Sequence, residues 1–330
     1  MIVHGVKMKL IVRILGLAFA GMTAFSAFGQ SYPVRPVTLI IPFPPGGSTD
    51  LVGRIVAEYL GKELGQPVVV NNKGGAGGAI GAKDIADAMS DGYTLGIATV
   101  STHVINPVAK GASLKYDPLK DFTLITQLAA VPNVVSVHPG VPAQNIKEFL
   151  DYLRQNPGKV NFATPGSGSL GHMMGETFKF NGKVSMTHIP YRGAGPALND
   201  TLAGQVEVFF DNLPSSLPHI QSGKLRALAV ASDKRVPSLP QIPTFAEVGL
   251  PLVNDPAWFG LVGPSQLPTG VVQRLSEATS KVLSQPEVIK RLRDNGAAPI
   301  GNSPDAFRKT MSHSIENVRK VVQEGRLKFD

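Results

Sequence analysis

The segment from Pro44 to Asp50 contains glycine as well as hydroxyl and carboxylate side chains, and it directly follows an apolar run. Two prolines and two glycines end that run, and a helix-period pattern begins behind Ser48 and Thr49. Free N–H groups at a helix N-terminus attract negative groups, and glycine lets a ligand approach the main chain closely. We predict that this loop binds an anion, although an ordinary turn capped by Ser48 or Thr49 fits the same residues. The predicted contacts are Phe43, Gly46, Gly47, Ser48, Thr49 and Asp50.

Asp50 has two interpretations. A carboxylate in the first turn of a helix complements the helix dipole, which is a structural role. The same carboxylate could accept a hydrogen bond from a ligand hydroxyl, an amine or a bound water. Both interpretations fit the residue type and its position.

A second stretch, NFATPGSGSLGHMMGETF, repeats this design at another predicted strand end. Hydroxyl side chains alternate with glycine, and a helix follows. The serine-hydrolase pattern G-x-S-x-G fails at Ser167 and at Ser169, although His172 would share a helix face with Ser169. Two such loops favour the clamping of one anion from both sides, and an exported hydrolase that uses Ser169 and His172 is the alternative. The predicted contacts are Thr164, Ser167, Gly168 and Ser169.

Two further strand ends carry polar side chains. Tyr191 and Arg192 follow one predicted strand, and the planar fork of arginine suits a carboxylate, although a surface arginine fits equally well. Asp211 and Asn212 end another strand, and such positions face ligands in open α/β sheets.

The sequence lacks the usual motifs for binding a cofactor or a metal. The segment NNKGGAGGAIGAKDIA lacks the third glycine of a dinucleotide loop, because Ile80 stands there, and no acidic residue ends the next strand. Cysteine is absent, which excludes thiol chemistry, and the histidines lack the spacing of metal ligands. We therefore expect no cofactor, no metal and no catalytic residue.

Strand and helix patterns alternate along almost the whole chain, which predicts an α/β protein with mainly parallel sheets. Proline and glycine clusters near residues 130–133 and 249–256 indicate two boundaries. We predict a discontinuous first lobe, residues 30–131 and 255–330, and an inserted second lobe, residues 132–254. Two chain crossings between the lobes would give a hinged cleft.

The N-terminal residues predict export. Lys7, Lys9 and Arg13 precede an apolar stretch that ends in small residues, so residues 1–29 have the pattern of a signal peptide cleaved before Gln30. The formal net charge is +8, but the basic residues are scattered, which argues against nucleic acid as a partner. A mildly basic exported protein favours anionic ligands.

Several stretches together resemble the periplasmic receptors of tripartite tricarboxylate transporters, also called the Bug family. In chain order they are YPVRPVTLIIPFPPGGSTD, GQPVVVNNKGGAGGAIGA, DGYTLGIAT, YDPLKDFTLI, THIPYRGAGPALNDTLAG, GKLRALAVAS and LPQIPTFAEVGLP. The resemblance covers nearly all of residues 32–325. It implies a type II periplasmic binding protein whose two lobes close on one organic anion.

The resemblance also implies site residues. In the family, the loop after the first strand and a Ser/Gly-rich loop of the second lobe grip the ligand, which correspond here to residues 43–50 and 164–169. The family's Tyr-Lys-Gly corresponds to Tyr191, Arg192 and Gly193, where the arginine is a departure. Ser101 matches another strand end beside the cleft. We expect a monomeric, periplasmic receptor for a small carboxylate that serves membrane transport components or a sensor kinase.

Overall fold

The structure is a computed structural model that describes residues 32–325 and residue 327. The predicted signal peptide therefore lies outside the described residues. Within these residues, no helix has both the length and the hydropathy needed to cross a bilayer.

One sheet of the described chain has the strand order β11-β4-β10-β3-β1-β2. Buried apolar side chains fill most of these strands, and helices cover them. The strands are β1 (Val37–Ile41), β2 (Val68–Asn72), β3 (Thr94–Thr99), β4 (Phe122–Val131), β10 (Ala257–Pro264) and β11 (Ala298–Pro299). The associated helices are α1 (Ser48–Leu64), α2 (Ala79–Ala86), α3 (Asn106–Lys110), α8 (Thr269–Leu283), α9 (Pro286–Asp294) and α10 (Pro304–Gly325).

The other sheet has the order β7-β6-β8-β5-β9. Its strands are β5 (Asn133–Val137), β6 (Asn161–Thr164), β7 (Thr187–Pro190), β8 (Val208–Asn212) and β9 (Arg226–Ala231). The helices between them are α4 (Ile146–Gln155), α5 (Leu170–Gly182), α6 (Ala194–Leu202) and α7 (Leu213–Gln221). The two sheets form two lobes, which confirms the predicted α/β, two-lobe class.

Both sheets are mixed, which differs from the predicted predominance of parallel pairs. β1 pairs in parallel with β2 and β3, but β10 lies antiparallel between β3 and β4. Similarly, β6 pairs in parallel with β7 and β8, but β5 lies antiparallel between β8 and β9. Strand and helix alternation gives parallel pairs when each helix returns the chain over its own sheet. β5 and β10 instead arrive from the other sheet.

The chain passes between the sheets by short connections. β4 ends at Val131 and β5 begins at Asn133, so Pro132 alone separates the two strands. The return connection runs from β9 to β10, and the Asn133 side chain donates to the main-chain oxygen of Asp255 at 2.8 Å. The predicted lobe boundaries stay a prediction.

The segment after β3 is helical but irregular. Ser101–Ile105 form a π-helix that continues into α3. His103 in this segment is fully buried, and Phe122 packs edge-on against it with the ring centroids 4.4 Å apart. A five-residue π turn has no period long enough to be visible in the sequence.

Candidate functional site

A small cavity of about 20 Å³ lies between the lobes. Most of its lining comes from residues at strand ends and helix starts of both lobes. They are Phe43, Gly47, Ser48, Thr49, Thr99, Ser101, Pro165, Leu170, Gly171, Ala194, Asp211 and Asn212. Among these described lining residues, none is lysine, arginine or histidine, and Asp211 alone is ionisable.

Helices α1, α5, α6 and α7 all begin at the lining of this cavity. Their first turns leave main-chain N–H groups without a partner inside the helix, and each N-terminus carries a partial positive charge. The lining therefore offers a negative group positive potential and hydrogen-bond donors without a cationic side chain.

The loop from Pro44 to Asp50, called the opening loop below, leads into α1. Its Gly47, rather than Ser48 or Thr49, is the N-cap residue of α1, and no side chain caps the helix. The alternative of an ordinary serine or threonine cap therefore does not hold. Gly47, Ser48 and Thr49 line the cavity together with Phe43, whereas Gly46 does not. The missing cap leaves the first N–H groups of α1 available to another acceptor.

Asp50 stabilises the opening loop from behind. Its carboxylate accepts hydrogen bonds from the Gly46 main chain at 3.1 Å, from Arg54 at 2.9 Å and from Asn72 at 2.9 Å. Asp50 is buried and is not part of the cavity lining. These bonds favour the structural interpretation of Asp50, because its oxygens already bind the loop and Arg54 offsets its charge.

Ser48 connects the two lobes. Its hydroxyl donates to the main-chain oxygen of Asn212 at 3.0 Å and lies 2.8 Å from the Ser215 hydroxyl. The Ser215 main-chain N–H in turn donates to the Ser48 hydroxyl at 3.0 Å. The start of α1 is thus hydrogen-bonded to the start of α7.

Ser101 makes a second connection between the lobes. Its hydroxyl accepts a hydrogen bond of 2.9 Å from the main-chain N–H of Leu170, the first residue of α5. Because Ser101 and Leu170 both line the cavity, this bond also closes one of its walls. The predicted place of Ser101 beside the cleft agrees with this geometry.

The main chains of the two lobes approach each other closely where glycine is present. A Cβ atom on Gly195 would lie 2.8 Å from the Pro45 carbonyl oxygen, and one on Gly77 would lie 2.6 Å from the Ser167 carbonyl oxygen. Real Cβ atoms do not come so near to an oxygen. Side chains at these positions would keep the lobes apart.

In the second loop, residues 164–169, the hydroxyls of Thr164 and Ser169 already have hydrogen-bond partners. The Thr164 hydroxyl lies 2.6 Å from His188 Nε2, and the Ser169 hydroxyl accepts from the His172 main chain at 3.2 Å as the N-cap of α5. Thr164, Ser167, Gly168 and Ser169 shape the loop but are not part of the cavity lining. The cavity contacts of this region are Pro165, Leu170 and Gly171, which the sequence pattern did not single out.

His172 is not arranged as a general base for Ser169. Its Nδ1 accepts a hydrogen bond of 3.2 Å from the Gly168 main chain, and its ring stacks on His188 with the centroids 3.9 Å apart. The contact between the Ser169 hydroxyl and His172 instead uses the histidine main chain. A nucleophile and its base require a hydrogen bond from the hydroxyl to a ring nitrogen.

Tyr191 and Arg192 do not line the cavity. The Tyr191 hydroxyl donates to Asp200 at 2.7 Å, and burial together with this carboxylate raises the tyrosine pKa to about 12. Arg192 is exposed. The structure therefore favours a surface position for this arginine.

Asp211 is a buried carboxyl in the wall of the cavity, with 3% of its surface exposed. Its oxygen Oδ2 accepts hydrogen bonds from the hydroxyls of Ser215 and of Ser216, the latter at 3.3 Å. Burial raises its pKa to about 7, although these hydrogen bonds act in the opposite direction. The sequence analysis did not identify Ser215 as a site residue. Its position at the start of a helix, four residues after Asp211, was the signal that could have identified it.

The two lobes and the cavity of helix N-termini between them define a periplasmic solute-binding protein. Residues 52–327 match the family described as the tripartite tricarboxylate transporter family receptor. The chain belongs to this family, and its resemblance to the Bug proteins is confirmed. The protein BugT of Bordetella pertussis is 34% identical over 96% of this chain and 98% of its own length.

Solved structures support the same assignment. A structure described as a periplasmic transporter has a TM-score of 0.89 at 47% identity and covers 91% of this chain and 100% of its own. Rpa4515 of R. palustris with adipate has a TM-score of 0.87 at 35% identity over 90% of this chain and 99% of its own. MatC of Rhodopseudomonas palustris with bound malate has a TM-score of 0.84 at 35% identity over 88% and 100%.

These comparisons establish a solute-binding receptor and not an enzyme, so the hydrolase alternative is wrong. The family and its structural relatives also imply a periplasmic location. Within the described residues, no group of three metal-ligating side chains is assembled.

Proposed function

We propose that this receptor captures a small dicarboxylate in the cavity between its lobes and presents it for transport or sensing. The observation that carries the proposal is the set of helix N-termini, α1, α5, α6 and α7, that begin at one cavity. Each such terminus stabilises a nearby anion by roughly 0.3–1 kcal/mol when exposed and by more when buried. A carboxylate group is small enough to accept N–H bonds from two of them.

The ligands of the relatives support this chemical class. MatC was solved with malate and Rpa4515 with adipate, and both are dicarboxylates, although they differ in length. Main-chain donors recognise a carboxylate group and tolerate differences in the chain that joins two such groups. We infer that this chain takes a ligand of the same class, with Ser48, Thr49 and Ser101 among the contacts.

The cavity also supports an opening and closing cycle. A volume of about 20 Å³ holds about one water molecule, which is far less than a dicarboxylate requires. The lobes must therefore separate to admit the ligand, and the bonds of Ser48 and Ser101 must rearrange. We propose that the short connections at Pro132 and near Asp255 are the hinge between lobes formed by residues 30–131 with 255–330 and by residues 132–254.

The receptor acts with other components in this proposal. We infer a monomer that is exported, loses residues 1–29 and delivers its ligand to membrane components of a tripartite tricarboxylate transporter or to a sensor kinase. The intact mass of the protein recovered from the periplasm tests the export step. We expect the mass of a chain that starts at Gln30, and the mass of a chain that retains Met1 would contradict the export step.

A thermal-shift screen of the protein without residues 1–29 tests the binding function. A ligand present at a hundred times its dissociation constant stabilises the folded state by about 2.7 kcal/mol, which raises the melting temperature by roughly 5–10 °C. We expect this shift with at least one dicarboxylate of the malate to adipate range, and none with the neutral diamide of the same length. If no carboxylate moves the midpoint, the proposal is wrong.

A further inference from the structure

An anion-binding cavity with a carboxyl in its wall poses an electrostatic problem. Asp211 lines the cavity, and among the described lining residues no cationic side chain offsets its charge. If Asp211 were ionised, a bound dicarboxylate would bring like charges close together in a region of low dielectric, where repulsion is strong. A neutral Asp211 would remove this repulsion and could donate a hydrogen bond.

The surroundings of Asp211 favour the neutral form. The residue is almost completely buried, which disfavours its charged form. The hydroxyls of Ser215 and Ser216 donate to its Oδ2 and favour the ionised form, but burial outweighs them. Ser215 in turn contacts Ser48 of the other lobe, so the carboxyl belongs to a hydrogen-bonded chain that crosses the cleft. Burial raises the pKa of this carboxyl to about 7, before any anion is nearby.

The other titratable groups around β8 do not compensate the charge. On the packed helices they are Glu176 and Lys179 of α5, His172 of α5, Asp200 of α6 and His219 of α7. Lys179 pairs with Glu176 at 2.8 Å, and Asp50 across the cavity pairs with Arg54 at 2.9 Å. The cations in this shell thus already have carboxylate partners.

We propose that Asp211 determines specificity by taking up a proton when the dicarboxylate binds, so that the cavity accepts the anion together with one proton. The proposal rests on the proposed function of the cavity. The proton comes from solvent and resides on the Asp211 carboxyl, which donates a hydrogen bond while the ligand stays ionised. The cavity then prefers ligands without a cationic group, because protonated Asp211 offers an ammonium ion no charged partner.

The direction of the pH dependence follows from this coupling. Below the pKa of the free receptor, about 7, Asp211 is already protonated and the affinity is highest. Above it, each binding event must take a proton from solvent, so the affinity falls by up to tenfold per pH unit. From about pH 6.5 to about pH 9, where free carboxylates are ionised, we expect roughly a hundredfold loss.

Isothermal titration calorimetry with malate and with adipate tests the coupling. At about pH 8, titrations in HEPES and in Tris, which differ in ionisation enthalpy, report the number of protons taken up. The parent protein should take up close to one proton per ligand. Asp211→Asn keeps a hydrogen-bond donor without a charge, so it should take up none and should lose the pH dependence. At about pH 9 it should bind roughly a hundredfold more tightly than the parent.

Glu247→Gln is the control, because it removes a carboxylate that pairs with Arg235 at 2.9 Å and does not line the cavity. This variant should keep the parent's pH dependence.

Dicarboxylate binding without proton uptake, or an Asp211→Asn variant that retains the pH dependence, would overturn the role of Asp211 and leave the receptor function intact. The role of Asp211 would also be overturned if an amino dicarboxylate bound more tightly than malate and its binding took up no proton. If no carboxylate binds at either pH, both proposals are wrong. If Asp211→Asn does not fold, the proton count of the parent decides alone.

Discussion

Ser48 illustrates how a single hydroxyl serves the site at the residue scale. It lines the cavity in one lobe and contacts both Asn212 and Ser215 in the other. Its hydroxyl therefore stabilises the arrangement in which the lobes touch, and it lies where a carboxylate would meet the start of α1. Loss of this group should weaken both interactions.

We predict that Ser48→Ala lowers the affinity for the best dicarboxylate by roughly two- to tenfold, because a net hydrogen-bond contribution of roughly 0.5–1.5 kcal/mol is lost. Titration calorimetry measures the change. Ser284→Ala is the control, since Ser284 is exposed and its hydroxyl donates to the Lys281 main-chain oxygen at the end of α8. Equal affinities for the two variants would show that Ser48 does not take part in binding.

Arg192 leads to the opposite expectation. It is exposed and does not line the cavity, so Arg192→Ala should bind the ligand as the parent does. The same calorimetric titration, repeated at low and high salt, checks this result. A loss of affinity that shrinks as the salt concentration rises would show that the guanidinium holds a ligand carboxylate after all.

Sequence patterns located the strand ends better than the individual contacts. The glycine and serine residues of the opening loop predicted a binding surface, and Ser48, Thr49, Ser101 and Asp211 do line the cavity. Thr164 and Ser169 have the same residue types but bond to His188 of β7 and to the His172 main chain of α5. Leu170 and Ala194 line the cavity because they begin α5 and α6, and their apolar side chains gave no signal of a binding site.

At the element scale, the site depends on how closely helix starts approach loops of the other lobe. Gly195 is the second residue of α6 and faces the Pro45 carbonyl of the opening loop. Gly270 is the second residue of α8 and has open space where a Cβ would stand. The two glycines occupy equivalent helical positions but only Gly195 lies between lobes.

We predict that Gly195→Ala lowers ligand affinity by tenfold or more without lowering the melting temperature of the ligand-free protein. Alanine favours the helix, but its Cβ would meet the Pro45 oxygen at 2.8 Å and hold the lobes apart. Gly270→Ala should leave the affinity unchanged. Calorimetry and thermal unfolding of both variants test the prediction. A Gly195→Ala protein that binds like the parent would mean that the liganded state does not need this close approach.

At the scale of the whole molecule, one sheet contains the first four and the last two strands of the described chain, and the other contains the five strands between them. Clusters of proline and glycine in the sequence indicated both connections between the sheets, because these residues are typical of turns and loops. The antiparallel insertion of β5 and β10 was not predictable from the same pattern, since strand order depends on contacts between distant segments. The predicted lobe boundaries, the hinge and the monomeric state remain predictions.

The central claim is that a dicarboxylate lies between the helix N-termini of the two lobes. A crystal structure of the protein grown with the dicarboxylate that gives the largest thermal shift tests this claim most directly. We predict a carboxylate within hydrogen-bond distance of main-chain N–H groups at the start of α1 and of α5 or α7, beside Ser48 and Asp211. A ligand bound elsewhere on the protein, with the cavity still about 20 Å³, would contradict the account.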